Sequence, residues 1–139
     1  MPPEPCLSVV MPCFNEATTV LEVVKVVLES PWVNEVVIVD DGSTDGTRDL
    51  LATIDHDQVT ILLHEENQGK GAALRTGFSR ATQPYVIVQD ADLEYDPADY
   101  GRLLEPLVDD RSDVVYGSRF ISDRPHRVFY YWHSVGNHL

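Results

Sequence analysis

The sequence predicts an α/β fold, a three-layer α/β/α domain around a mostly parallel sheet. Three observations carry this. Short runs of Val and Ile recur along the chain, too continuous for strands with one wet face. Between them the apolar residues switch to helical spacing. Polar, turn-forming clusters follow the strands, where strand-to-helix connections belong. At 139 residues the chain suits one domain, 1–139, with one proper core and no linker, repeat or low-complexity tract.

Each element has its own reason. "LSVVMP" (7–12) is a short β-rich run, and over 17–29 Val20, Val23, Val24, Val27 and Leu28 recur at helical spacing. "EVVIVD" (35–40) reads as a second buried strand, followed by a helix over 44–54 with Ser43 or Thr44 as its cap. "QVTILLH" (58–64) is a third strand, and 70–81 a third helix with Ala73, Leu74, Gly77 and Phe78 on one face. "YVIVQD" (85–90) is a fourth strand, 97–108 a helix opened by proline, and "DVVYGS" (113–118) a fifth strand.

Composition narrows the function. A net charge of −13 argues against nucleic acid as a partner, because a duplex would repel such a surface. It leaves anionic ligands open, since a metal ion bridges two negative partners. No stretch approaches the ~18 apolar residues of a membrane span, and the start has no basic region followed by a long apolar run. Cys6 and Cys13 flank one strand, roughly 23 Å apart if extended, beyond disulfide reach. Both read as reduced thiols, and the expected location is the cytoplasm.

In open parallel sheets ligands sit outside the carboxyl ends of the strands. Those ends carry "PCFNE" (12–16), "DDGS" (40–43), "EENQGKG" (65–71), "DADLE" (90–94) and "GSRF" (117–120). Four of the five contain Asp, Glu or Asn, which a turn does not require. Asp90 and Asp92 are two apart, so an extended strand points them to one side with Glu94 in step. Carboxylates that close repel unless a cation holds them ionised, and hard oxygen donors favour Mg²⁺ or Mn²⁺. The competing reading has these acids capping the helix at Pro97, a role that suits Asp96. In "DDGSTDGT" the acids either accept from a base edge or ribose hydroxyl, or belong to a tight connection. Lys70 in "NQGKGAAL" faces a phosphate or, the favoured reading, opens a helix packed closely on the sheet. Neither GxGxxG nor GxxxxGK[ST] is present.

"PCFNE", "VDDGSTDGT", "NQGKGAAL", "DADLEYDP" and "YGSRF", in that order, resemble the inverting family-2 glycosyltransferases. The similarity runs from Leu7 to Leu139 and is strongest to the dolichol-phosphate mannosyltransferase-like, polyprenyl-phosphate glycosyltransferase branch. It implies the GT-A, Rossmann-like nucleotide-diphospho-sugar transferase fold, with the C-terminal part missing. It also implies a UDP- or GDP-sugar donor bound by Pro12, Phe14, Glu16, Val39, Asp41, Asp90, Ala91 and Asp92. Mg²⁺ or Mn²⁺ would be held by Asp90, Asp92 and Glu94, although the branch often has Gln where Glu94 stands. Phe14 stands where Tyr is common, without its hydroxyl. Asp92 and Arg119 would serve catalysis, and Arg119 would reach the diphosphate or the acceptor phosphate.

Sugar transfer passes through a sugar with oxocarbenium character, and the departing diphosphate needs its charge stabilised. An alcohol acceptor requires a general base. A lipid monophosphate is already anionic at pH 7 and requires positioning instead. After Ser118, Arg119, Arg124, Arg127, His126, His133 and His138 face only Asp123, which suits a lipid-phosphate acceptor. The aromatic-rich "VFYYWHSVGNHL" (128–139) suits a membrane surface, or a helix packed on the domain or on a second copy of the chain as a homodimer. Two other enzymes fit less well. A haloacid-dehalogenase-type phosphatase has its DxD after the first strand, and a nucleotidyltransferase has a Gly-rich loop where "PCFNE" stands. The rival of a different class is a non-catalytic nucleotide-sugar binding module, or an inactive fragment of such an enzyme.

Overall fold

The structure, a computed structural model, describes residues 5–92 and 127–130. Along the chain run β1 (Leu7–Cys13), α1 (Val20–Leu28), β2 (Val33–Asp41), α2 (Thr47–Leu51), β3 (Val59–His64), α3 (Lys70–Arg80), β4 (Tyr85–Val88) and β5 (Arg127–Tyr130). The strands form one sheet in the order β3-β2-β1-β4-β5. Each neighbouring pair is parallel, as continuous Val/Ile runs joined by helices require.

Alternation along the strands sends side chains to two faces. Leu7, Val9, Met11, Val36, Ile38 and Ile87 meet the buried valines of α1 and Leu51 of α2 on one face. On the other, Val10, Val86 and Val88 meet Leu74 and Phe78 of α3, while Val37 and Val39 meet Ala73. Those are the three layers expected. Helix α3 lies very close to the sheet, because a Cβ on Gly77 would stand 2.4 Å from Val10 Cγ1. The close packing read from "NQGKGAAL" is present.

Several boundaries differ from the sequence expectation. Helix α2 covers Thr47–Leu51 instead of 44–54. Ser43 and Thr44 do not cap it; they bond across to the loop after β1. Helix α1 starts at Val20 because residues 16–19 form a turn, with Thr19 N and Val20 N donating to Glu16 O. Strand β4 ends at Val88, although Gln89 N still donates to Val10 O. Of the segment 128–139, the part described is not the helix considered there: residues 127–130 are a strand beside β4, where Val, Phe and Tyr satisfy β propensity, and 131–139 lie outside the described residues. The expected helix over 97–108 and strand over 113–118 lie outside the described residues. Among the described residues no helix is long and apolar enough to cross a membrane.

Candidate functional site

The sheet order places β2 and β3 on one side of β1, and β4 and β5 on the other. The chain therefore reverses its direction of growth between β1 and β4, the position where an open parallel sheet leaves a crevice at its carboxyl edge. A cavity of about 530 Å³ opens there. The exit of β1 supplies Pro12, Cys13, Phe14 and Glu16, and the exit of β2 supplies Asp41. Asn67 and Gly69 come from the loop before α3, Lys70 and Ala73 from its start, and Asp90, Ala91 and Asp92 from the exit of β4.

The expected nucleotide-sugar residues thus converge, except Val39. Its side chain is fully buried and packs with Val37 and Ala73, away from the cavity wall. Cys13, Asn67 and Gly69 belong to the strand-end segments "PCFNE" and "EENQGKG" without being singled out as site residues, and Ala73 is expected only on the packed face of α3. Glu94, Arg119 and Arg124 lie outside the described residues. Arg127 pairs with Tyr85, at the amino end of β4. That is the opposite edge of the sheet, about 15 Å along the strand direction from Asp90.

The loop after β1 is held by the loop after β2. Asn15, at φ 53, belongs to a residue type that tolerates the left-handed region. Asn15 N donates to Ser43 Oγ at 2.9 Å, and Asn15 Oδ1 accepts from Thr44 N at 2.8 Å. Glu16 N donates to Thr47 Oγ1 and Ala17 N to Asp45 Oδ2. The Thr47 hydroxyl is the main reason that the Asp45 carboxyl lies below its usual range. "DDGSTDGT" is therefore a clamp on "PCFNE" as much as a connection.

The two acids ending β2 have separate duties. Asp40 is fully buried; its Oδ2 accepts from Ser43 N and, at 2.7 Å, from Arg48 Nε. The Arg48 guanidinium also donates to His64 O. Asp40 Oδ1 has no hydrogen-bond partner among the described residues. Asp41 Oδ1 accepts from Gln68 N and from the His64 ring at Nδ1, both at 2.9 Å, and Oδ2 accepts from Gly69 N at 2.9 Å. His64 Nε2 reaches Thr76 Oγ1 at 2.9 Å. Burial pushes the Asp41 carboxyl up, but the Gln68 amide, the His64 ring and the Gly69 amide outweigh it, so its pKa is lowered. Asp41 lines the cavity, yet its oxygens are committed to fixing residues 67–69, which open α3.

Negative charge concentrates on the remaining wall. The Glu16 carboxyl is raised, first by burial, then by the charge of Asp92, with Asp90 and Asp45 adding and the Thr19 hydroxyl opposing. Thr19 Oγ1 also donates to Ala91 O at 2.7 Å, which ties the exit of β4 to the turn before α1. Lys70 Nζ lies 2.7 Å from Asp90 Oδ1. Among the described residues no cluster of three or more His, Cys, Asp or Glu is arranged as a metal site. Asp90 and Asp92 nevertheless supply hard oxygens on one cavity wall, and their charge adds to burial in raising the Glu16 carboxyl. A divalent cation fits that donor type.

No disulfide joins the two thiols. Burial, followed by Asp40, Glu16 and Asp45, pushes the Cys13 thiol up to about 12. At pH 8 its thiolate fraction is then on the order of one in ten thousand. Iodoacetamide is expected to modify the partly exposed Cys6 and to spare Cys13, counted by intact mass. Rapid double labelling would show that the cavity floor is open.

The family model described as glycosyl transferase family 2 matches residues 8–135. Over 126 residues the chain is 33% identical to a glycosyltransferase, AglJ, of Haloferax volcanii, covering 90% of this chain and 40% of that protein. It is 26% identical over 148 residues to the UDP-N-acetylglucosamine–dolichyl-phosphate N-acetylglucosaminyltransferase of Methanococcus voltae, covering 94% of this chain and 59% of that one. The chain therefore spans about half the length of these relatives. Glucosyl-3-phosphoglycerate synthase from Mycobacterium tuberculosis, solved with Mn²⁺, UDP and glucosyl-3-phosphoglycerate, superimposes with a TM-score of 0.60 at 27% identity. That match covers 74% of this chain and 39% of the synthase. The fold is of the GT-A nucleotide-sugar transferase type.

Proposed function

The chain belongs to glycosyl transferase family 2, and on that premise we propose that it transfers a sugar from a nucleoside-diphospho-sugar to a polyprenyl phosphate. Transfer proceeds with inversion and with the help of Mg²⁺ or Mn²⁺. One observation carries the reading: the crevice between the exits of β1 and β4 brings Asp90, Asp92 and Lys70 to one cavity of about 530 Å³. Its size suits a small ligand, and its charged groups suit a diphosphate accompanied by a cation.

The chemistry divides among named groups. Phe14 is 45% exposed at the cavity wall, and an aromatic face there suits a nucleobase. Asp90 and Asp92 would hold the divalent cation, which, when bound, neutralises charge on the departing diphosphate. Attack from the face opposite that leaving group inverts the anomeric carbon. A phosphate acceptor arrives already ionised, so no residue of this chain has to remove its proton. Arg119 is proposed as its anchor, in the bidentate mode open to arginine. The relative that acts on dolichyl phosphate supports this acceptor class, and the synthase solved with Mn²⁺ and UDP supports the cation. A lipid-phosphate acceptor would put the reaction at a membrane surface.

Calorimetric titration with UDP and with GDP tests the reading directly. At least one nucleoside diphosphate should bind about tenfold or more tightly with Mn²⁺ than with EDTA, or about 1.4 kcal/mol. Equal affinity in EDTA would remove the cation from the scheme, and no binding of either would remove the donor.

A further inference from the structure

Lys70 is the only basic residue lining the cavity among the described residues. Its position is imposed from behind. Asp41 takes the Gln68 and Gly69 amides, and Lys70 is then the first residue of α3. The backbone is anchored, while the side chain remains 48% exposed and reaches Asp90, itself 22% exposed. An ion pair so open to water contributes little to stability and is readily broken. Yet it lies on the carboxylate that the proposed function gives to the cation. Lys70 and a divalent ion therefore compete for Asp90.

Resting on that functional reading, we propose that Lys70 is the resident counter-ion of the cavity: it holds Asp90 when no metal is bound and turns to the diphosphate when the metal takes Asp90. The two ligands then help one another. A metal arriving alone must displace the Lys70 ammonium from Asp90 without bringing a diphosphate to receive it. A nucleoside diphosphate arriving alone draws that ammonium away and leaves Asp90 bare beside Asp92 and Glu16. When both arrive, the metal takes Asp90 and the diphosphate receives the ammonium. Such coupling is reciprocal by thermodynamic necessity, so each ligand tightens the other by the same factor. Lys70 is thus a positioning residue that links donor and cation binding.

The test measures Mn²⁺ binding through the electron paramagnetic resonance signal of the free ion, with and without UDP, in the whole chain. Lys70→Met should bind Mn²⁺ alone about tenfold more tightly than the parent, and UDP should then improve Mn²⁺ affinity far less than it does in the parent. Lys70→Arg, which keeps the positive charge, should stay close to the parent. Arg75→Met, an equal change of net charge at an exposed position on the same helix, should leave Mn²⁺ affinity unchanged. Lys70 stands half-exposed at a helix start, so the fold is expected to survive, and a thermal melt checks this. If the parent binds Mn²⁺ with UDP but Lys70→Met matches it under both conditions, the counter-ion role is wrong and the proposed function stands. If Arg75→Met tightens Mn²⁺ as much as Lys70→Met, the effect is net charge and the role is equally wrong. If no variant binds Mn²⁺ even with UDP, both the role and the cation reading fall.

Discussion

Replacing Asp41 with asparagine is expected to destabilise the domain by about 3 kcal/mol at pH 7 and to weaken nucleotide binding with it. The side chain is only 2% exposed and accepts three hydrogen bonds, two at Oδ1 and one at Oδ2. An asparagine offers one acceptor oxygen. Whichever way its amide is turned, an NH₂ group faces a donor from Gly69 or from Gln68 and His64. The sign of the pH dependence follows from the lowered Asp41 pKa. The unfolded chain takes up this proton near pH ~3.9, while the folded protein takes it up only at lower pH. The stabilisation is therefore fully present above the unfolded value and is lost as pH falls through the folded one. Urea unfolding of the two proteins across that range should show a gap that is constant near neutrality and closes in acid. A gap independent of pH would mean that the ionised carboxylate is not what holds residues 67–69. Released from Asp41, those residues no longer present Asn67, Gly69 and Lys70 to the cavity.

Gly42→Ala is expected to cost a similar amount by a different route. Gly42 has φ +81, and a Cβ there would stand 2.5 Å from Asn67 N and 2.7 Å from the Glu66 carbonyl carbon. Both obstacles are backbone, so no side-chain rotation relieves them. The left-handed conformation costs roughly 1–2 kcal/mol and the forced shift roughly 1–3 kcal/mol more. Gly46 separates the two contributions, since it has φ +98 and nothing within 4 Å of a built Cβ. Gly46→Ala should lose only the conformational part. Urea midpoints for the two variants check the difference, and equal losses would show that the approach of residues 66–67 to Gly42 is not tight. The same shift moves the loop that carries Asn67 and Lys70, so Gly42→Ala should also weaken nucleotide binding.

Both predictions concern contacts between loops far apart in the chain, and this is where sequence reading stopped. The sheet was legible because Val and Ile runs bury both faces of a parallel strand, a property of each segment by itself. The amphipathic spacing of α1 and the small face of α3 were legible for the same reason. The start of α3 at Lys70 was legible too, but those of α1 and α2 were not. Ser43 and Thr44 look like caps in isolation, but their polar atoms bond to Asn15 of another loop. The aromatic-rich 128–139 suggests a membrane surface or a helix, and nothing local shows that its start pairs with β4, because strand pairing is a long-range event.

The acids show the same division. "DADLE" marked Asp90 and Asp92 as unusual at a strand end, and both line the cavity. "DDGS" marked two acids without separating them, since residue type cannot say which oxygen meets a backbone amide. Lys70 was noticed between its glycines, but its partner Asp90 is 20 positions away (70 to 90).

By itself the sequence determined the parallel α/β sheet, the carboxyl edge on which a site would form and the excess of acids along it. These follow from periodicity and composition, which are local. Tertiary structure alone decided which acid is spent on holding a loop, which residue sits in the core instead of the wall, and which cation faces Asp90. Those depend on distances between loops, and loop distances are set only when helices and strands pack.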